Sequence, residues 1–556
     1  MLHPVNISRF SSALYCDPVN RRGCPSDQGE AQDMKFQRGR VMGTVTVGFA
    51  LVAAACGGGG DESSSVIGVD KDDLQSTATT AAVKEPTTME EWEKLWETER
   101  AAMVKAIKGG GYGKSGTTVK GMNGMSVDLS KCAAGWSDTE GLTDTSIKVG
   151  ASIVQSGTLA EYGNYGKSID VLFKYYSAKG AFKDSTGKTR TVEYIQKDDG
   201  YDANRAIPIV DELLDSTKAF AIWTLGTPAT LKLYDKLNSR CVPHPLAMTA
   251  HPAWGDPMTK PWTSGAPVAS YTTEALFWGD YVEKNFDKLA TNGKVTVAAL
   301  VMNNDFGKVY NQGFKEYLAN SAALKGKVEY LTEQIEPQAP TITDAMTTLA
   351  SKNADVFIAM TAGTSCTQAN TEAARNGMKG KVKALFYPNT CGGTSFIGKE
   401  KVGGDGSAGD GWLIYEGGLK EIKDTVAYAN DPWMKFLRAE LEKAGINPSS
   451  SSLLGHGAAY GWPVAQMLIV AGELEGGLTR SNFLTAMRHF NMTPPTHFWG
   501  IKSQLQGGQD GYINEAGVLS KFNAAKQLWE PQGNIIDLNG KSKNCAWDTA
   551  AGNCKA

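Results

Sequence analysis

The chain has 556 residues, a formal net charge of −3 and 41% hydrophobic residues, a balance that fits a mildly acidic globular protein. No basic stripe points to nucleic acid, and no apolar run beyond the first sixty residues is long enough to span a bilayer. Six histidines are scattered through the chain, and no CxxC or His-x-x-x-His spacing suggests a metal site.

Residues 1–33 carry no periodic pattern and are read as upstream sequence or a disposable extension, outside the mature protein. From Met34 the chain reads "MKFQRGRVMGTVTVGFALVAAAC". Lys35, Arg38 and Arg40 precede the apolar run Val41–Val52, which is too short to span a membrane and has the length of a signal-peptide core. Ala53, Ala54 and Ala55 suit a signal-peptidase groove. With Cys56 immediately after them, the segment resembles the bacterial lipobox, which implies a signal peptide over 34–55 and lipidation at Cys56. The family's strongest boxes have Leu where this chain has Ala53. The alternative is an ordinary secretory signal cleaved near Ala55. Gly57–Gly60 and "DESSS" read as a flexible polar tether. Without residues 1–55, which hold six Lys/Arg and four Asp/Glu, 50 basic and 55 acidic residues remain, a net charge of −5.

Residues 56–142 are read as that tether, interrupted by a helix at 89–108. The helix puts Trp92, Trp96, Met103 and Ile107 on one side, has acids at its start and lysines near its end, and stops at Gly109–Gly111. Its apolar side suits either its own domain or a docked partner. From Thr143 strands and helices alternate. Ile147, Val149, Ala151 and Ile153 alternate as in a strand, and Ile169, Leu172, Phe173 and Tyr176 follow helical spacing. Further strands are expected at "TVEYIQ", "AFAIWTLG" and "VPHPLAM", with helices between them. After "HPAWGDPMTKPWTSG" the cycle restarts with helix 272–287 and strand "VTVAALVM". Helices 307–323, 342–352 and 365–377 then alternate with strands "VEYLTEQI", "ADVFIAM" and "KALFYP". Such βαβ repetition implies parallel sheets. The halves rhyme, with Tyr162-Gly163 and Phe306-Gly307 each opening a helix after a strand and loop, so two α/β lobes are expected.

Six cysteines follow Cys56, and 15 pairings are possible. Cys545 and Cys554 bracket a short polar loop. Cys366 and Cys391 each follow a predicted strand, and Cys132 with Cys241 remains by elimination. Disulfides imply an oxidising compartment.

Ligands of open α/β sheets sit beyond the carboxyl ends of strands, where helix starts offer unpaired N–H groups. The loops there are Ser156–Gly163, Asp198–Asp202, Gly226–Ala229, Ala247–Ala250, Asn303–Gly307, Thr361–Ser365 and Pro388–Thr390. No enzyme signature occupies them. "GKS" at Gly166–Ser168 lacks the glycine a phosphate loop needs, since position 161 is Glu. Ser365 has Gly363 behind it but Thr367 ahead. Small hydroxyls, amides and aromatics remain, a set that binds a small polar solute.

The stretch "IKVGASIVQSGTLAEYGNYG", followed by "KDDGYDANRA", resembles the branched-chain amino acid (Leu/Ile/Val-binding) type of ABC-transporter substrate-binding protein, over roughly residues 143–535. The resemblance implies the type I periplasmic-binding-protein fold. Its two doubly wound parallel-sheet lobes, joined by hinge strands, would be lobe I at 143–268 plus about 412–500 and lobe II at 269–411 plus about 501–540. A C-terminal disulfide loop at 541–556 would follow. It implies a ligand between the lobes, with Thr227, Ala247 and Thr249 meeting a carboxylate and the aromatics Tyr162 and Phe306 beside it. Where the family offers an acid for the ligand's ammonium, "LFYPNTCGG" has Asn389 and Thr390 instead, so Asp305 or Glu161 serves, or the ligand is not an α-amino acid. Trp254 either lines the cleft or packs at a lobe edge. The resemblance further implies a non-enzymatic monomer without cofactor, held at the outer face of the cytoplasmic membrane by its lipid anchor and partnered by ABC permease subunits. An extracellular sensor domain without transport, or a hydrolase with a non-standard site, are the alternatives.

Overall fold

The computed structural model describes residues 69–77 and 84–555. The signal-like run, Cys56 and the glycine tether lie outside the described residues. Two sheets organise the rest. The first has four strands in the order Phe182–Lys183, Thr189–Lys197, Ser146–Ser152, Ala221–Thr224. Its last three strands are parallel, with Val149 paired to Tyr194 on one side and Ala221 on the other. Nearly every residue of Ser146–Ser152 is buried, as expected for a parallel strand covered by helices on both faces.

The second sheet is larger. Its order is Leu528–Pro531, Ala516–Asn523, Leu413–Glu416, Ala384–Tyr387, Val356–Met360, Val295–Met302, Val328–Ile335, with Ile536–Asp537 beside Ala516–Asn523. The five strands from Leu413–Glu416 to Val328–Ile335 are parallel, and the C-terminal strands add antiparallel edges. The chain passes from the first lobe to the second after Met248, returns after Glu416, and crosses again before Ala516. On its return it forms the long helix Leu453–Glu473, which packs along Asn164–Ala178. Gly457 permits that approach, because a Cβ there would lie 2.5 Å from the Tyr165 carbonyl oxygen.

Three expectations are corrected. Strand Leu413–Glu416 pairs with Ala384–Tyr387 and Ala516–Asn523, so lobe I does not resume at 412. The expected strand "VPHPLAM" is reduced to isolated bridges, Leu225 with Met248 and His244 with Thr263. The His244 imidazole sits between Thr224 and Thr263 hydroxyls at 2.9 and 3.2 Å, so its side chain ties the segment in place of a ladder.

The third concerns residues 84–142, expected as a flexible tether with a helix at 89–108: the helix forms, but the residues around it are folded rather than a tether. Helix Met89–Gly109 is capped by Thr88, whose hydroxyl accepts from the Glu91 N–H. It lies on its own domain. Trp96 is fully buried, its ring 5.2 Å from that of Trp462 and 5.9 Å from that of Trp433, and its Nε1 donates to the Thr493 carbonyl at 3.1 Å. Strands Gly113–Ser115, Thr118–Lys120 and Ser126–Asp128 follow as an antiparallel sheet. The Cys132–Cys241 disulfide then fastens the segment to the end of helix Thr227–Ser239. The other bridges are Cys366–Cys391 and Cys545–Cys554. The last closes a small hairpin whose Trp547 packs on the His251 ring, 4.4 Å between centroids. Among the described residues no helix is long and apolar enough to cross a membrane.

Candidate functional site

A cleft of about 730 Å³, mouth included, opens between the two lobes. On the first lobe it starts where strand Ala221–Thr224 ends. Gly226, at φ 92°, turns the chain sharply into helix Thr227–Ser239, and a side chain there would run into the Tyr201 ring. Pro228 sits in the first turn. The Thr227 and Ala229 N–H groups have no intrahelical acceptor by position, and the helix start carries partial positive charge. Thr227 Oγ1 lies 2.7 Å from Thr249 Oγ1, and Thr249 donates to the Tyr271 hydroxyl at 3.3 Å. Thr227, Thr249, Tyr162, Tyr201, Phe306, Asn389 and Thr390 all reach the cleft from strand-end loops.

Tyr162 follows the first strand. Its hydroxyl donates to the Thr390 carbonyl at 2.9 Å and accepts from the Gly363 N–H at 3.2 Å, both on the second lobe. Thr158 adds a bond to the Pro337 carbonyl at 3.0 Å, and Gln338 reaches back to the Gly200 carbonyl at 3.3 Å. The lobes are therefore closed on each other.

On the second lobe, Phe306 stands in the first turn of helix Asp305–Asn320, which Asn304 caps through the Gly307 N–H. Its ring lies 5.1 Å from that of Tyr271. Asn389 sits in the Asn389–Cys391 turn and lines the cleft. Its N–H donates to Glu274 Oε1 at 2.6 Å, while the Tyr310 hydroxyl donates to Glu274 Oε2. Glu274 is 2% exposed, and burial pushes its carboxyl up to about 8. Burial also raises the Tyr162 and Tyr271 hydroxyls above the usual tyrosine range. It holds the His456 imidazole, on helix Leu453–Glu473, down to about 4, so that ring is neutral near pH 7.

Of the residues expected at a ligand, the cleft gathers Thr227, Thr249, Tyr162, Phe306 and Asn389. Ala247 does not line it. Its N–H is spent on the Ser264 carbonyl at 2.8 Å, and the residue is fully buried with Ala253 and Trp254. Trp254 is likewise packed away, its ring against Tyr234 at 5.2 Å. Neither proposed substitute acid lines the cleft. Asp305 is exposed, and Glu161 accepts from the Ser451 hydroxyl. The acid that lines the cleft is Glu274, which lies within helix Tyr271–Lys284 rather than in a strand-end loop. One sign of it was available: Tyr271, Glu274, Ala275 and Trp278 form a single helical stripe, and an acid in an otherwise apolar stripe stands out. Tyr165, Tyr201, Tyr271, Tyr460 and His456 also line the cleft without having been expected there. Among the described residues no Lys or Arg lines it, and no group of three or more His, Cys, Asp or Glu is placed to hold a metal ion.

Two α/β lobes, three chain crossings and a cleft at their strand ends define a two-lobed solute-binding protein. The chain belongs to the periplasmic binding protein family, whose sequence profile matches residues 146–501. Solved structures share the fold. A fatty acid ABC transporter substrate-binding protein from Thermomonospora curvata aligns at 16% identity and TM-score 0.59, covering 72% of this chain and 95% of that one. A branched chain amino acid ABC transporter protein from Thermus thermophilus with bound valine aligns at 14% identity and TM-score 0.57, covering 71% and 97%. A solute binding protein of an ABC transporter from Rhodopseudomonas palustris BisB5, in complex with 3,4-dihydroxy benzoic acid, aligns at 18% identity and TM-score 0.56, covering 72% and 99%. The chain has no match among curated proteins.

Proposed function

We propose that the protein is the extracytoplasmic solute-binding component of an ABC importer, tethered to the membrane through a lipidated Cys56. It captures a small polar solute between its lobes by hinge closure and presents the closed form to a permease. Family membership supports the solute-binding role and an extracytoplasmic location. The observation that carries the reading is the cleft itself. It is walled by both lobes, offers paired Thr227 and Thr249 hydroxyls beside a helix start on one wall, and is latched by Tyr162 across to Thr390 and Gly363. Closure signals occupancy only if the solute favours the closed form over the open one, and these cross-lobe bonds belong to the closed form. The lipid anchor rests on the sequence around Cys56 alone.

Native mass spectrometry of the purified protein, followed by denaturation and identification of any released small molecule, tests the capture. Small-angle scattering with and without that solute then tests closure. A particle of unchanged dimensions in saturating solute refutes the hinge reading. A mature N-terminus elsewhere than Cys56, or one without acyl chains, refutes the anchor.

A further inference from the structure

The carboxyl ends of the second lobe's parallel strands face the cleft, so the strand starts lie at the opposite end of that lobe. Four neighbouring strands begin there: Val328–Ile335, Val295–Met302, Val356–Met360 and Ala384–Tyr387. The loops that lead into them, 285–294, 321–327, 352–355 and 376–383, hold eight lysines against two acids, Asp287 and Asp355, a local charge of +6 in a chain whose formal charge is −3. Lys294, Lys325, Lys327, Lys352, Lys381 and Lys383 are exposed. Asp355 is buried and pairs with Lys383, and among the described residues none of the other seven lysines has an acid within ion-pair distance. The patch ends at half-buried Lys379, which lies near Asp405 and Asp410 of the loop before the next strand, and Glu329 is an exposed acid one residue into the edge strand Val328–Ile335. A cation after a helix C-terminus is ordinary because that end is partly negative, which accounts for Lys352. Lys294, Lys327 and Lys383 immediately precede strands, where no helix end calls for them.

The segment that leads back to Cys56 is fastened at this same face. Lys71 pairs with Glu283, in the last turn of helix Tyr271–Lys284, and its ammonium lies 5.6 Å from the Tyr317 ring centroid. Glu283 also accepts from the Ser321 hydroxyl at 2.6 Å, and the Ser321 carbonyl accepts the Lys325 N–H at 3.0 Å. Thirteen residues lead from Cys56 to Val69, a length that spans at most ~45 Å when fully extended. An anchor at Cys56 therefore brings the lysine face within reach of the bilayer, with the cleft a strand's length, ~25 Å, beyond it.

Resting on the anchored-receptor reading, we propose that the lysine face of the second lobe docks on anionic lipid headgroups of the membrane that holds the anchor, with the cleft turned away from the lipid. Lysines near an anionic surface are attracted to it, and the attraction fades within a Debye length. Four adjacent strand starts spread the charge over ~15 Å, which suits a charged plane better than one compact anion. The acyl anchor fixes where the receptor sits, and the lysines fix which way it faces.

The test acetylates surface amines and reads each lysine by peptide mass spectrometry. The purified protein is labelled on vesicles of phosphatidylcholine alone, or with about one part in four of the anionic lipid phosphatidylglycerol. Lys294, Lys327 and Lys381 are expected to react about threefold or more slowly on the anionic vesicles, and about 1 M salt, which shortens the Debye length to ~3 Å, restores their rates. Lys105 and Lys232, exposed on the first lobe, keep theirs. A chain carrying Lys294→Glu, Lys327→Glu and Lys381→Glu together is expected to lose the protection of Lys288, Lys325 and Lys352, with solute affinity and melting curve unchanged. Equal labelling on both kinds of vesicle overturns the docking and leaves the receptor and its anchor standing. Protection without vesicles, together with a dimer in sedimentation, assigns the face to a second copy and also overturns it. The mass of the mature N-terminus reads the anchor separately: an unacylated N-terminus refutes the anchor, and the docking then stands only if anionic vesicles still protect these lysines.

Discussion

Gly363 of the second lobe and Thr158 of the first meet so closely that a Cβ on Gly363 would lie 2.5 Å from the Thr158 carbonyl oxygen. Gly363 also has φ 63°, a conformation side chains disfavour. Gly363→Ala therefore obstructs closure twice, by contact and by backbone strain. Solute affinity is expected to fall by about a hundredfold, equivalent to ~3 kcal/mol. The solute-free melting point should change much less. Calorimetry and scattering on the variant check both.

Tyr162→Phe removes one hydroxyl that makes two cross-lobe hydrogen bonds. At roughly 0.5–1.5 kcal/mol each, their loss should weaken solute binding by about tenfold, chiefly through faster release. Stopped-flow dissociation is the measurement. An unchanged release rate would mean that the latch does not hold the closed form.

Thr227→Val and Thr249→Val keep side-chain size and remove the paired hydroxyls. Each is expected to lower affinity by about tenfold for a solute with an acceptor at that end, while Ala247→Gly leaves affinity unchanged because the Ala247 N–H is already bonded to Ser264.

Glu274 gives binding a pH dependence. Its folded-state carboxyl titrates at about 8, above the ordinary carboxyl value, because burial disfavours its charge. The groups touching it are the Tyr310 hydroxyl, on helix Asp305–Asn320, and the Asn389 N–H. His456, across the cleft, is already neutral above about 4. In the solute-free protein the folded state holds this proton where the unfolded chain has released it. Its stability contribution is thus fully present below the ordinary carboxyl range and is lost as pH rises toward 8. An ammonium solute favours the ionised form, so its affinity should rise from pH 6 to 9 with release of up to one proton. Calorimetry in buffers of different ionisation heat counts that proton, and Glu274→Gln should abolish its release.

Trp96→Ala tests whether helix Met89–Gly109 belongs to the fold. Emptying a fully buried tryptophan site costs about 3–5 kcal/mol, with solute affinity preserved because Trp96 lies away from the cleft. Thermal melts and titration separate the two effects.

Much of this architecture is written as pattern. The alternation of Ile147, Val149, Ala151 and Ile153, and the helical spacing of Ile169 to Tyr176, report burial directly, and burial is what sheets and helices share out. Thr227 was legible because a hydroxyl, a proline and a preceding glycine at a strand end have a specific local meaning. Segment 242–248 was not, since its apolar letters match a strand while His244 and Ser264 bond it in another way. Glu274 escaped for a different reason. Its hydrogen-bond partners on the same lobe, Asn389 and Tyr310, are remote in sequence, and only tertiary packing brings this mid-helix acid to the cleft wall.

The Cys366–Cys391 bridge has one more effect. It staples the turn bearing Asn389 and Thr390 to the helix that begins just after Gly363. Both points that Tyr162 grasps are thereby welded into one jaw before any guest arrives. With that bond formed, both grasped points move as one unit, so closure is expected to need only the swing of the opposite wall. A precursor kept in a reducing interior would have the same residues and a slacker bite.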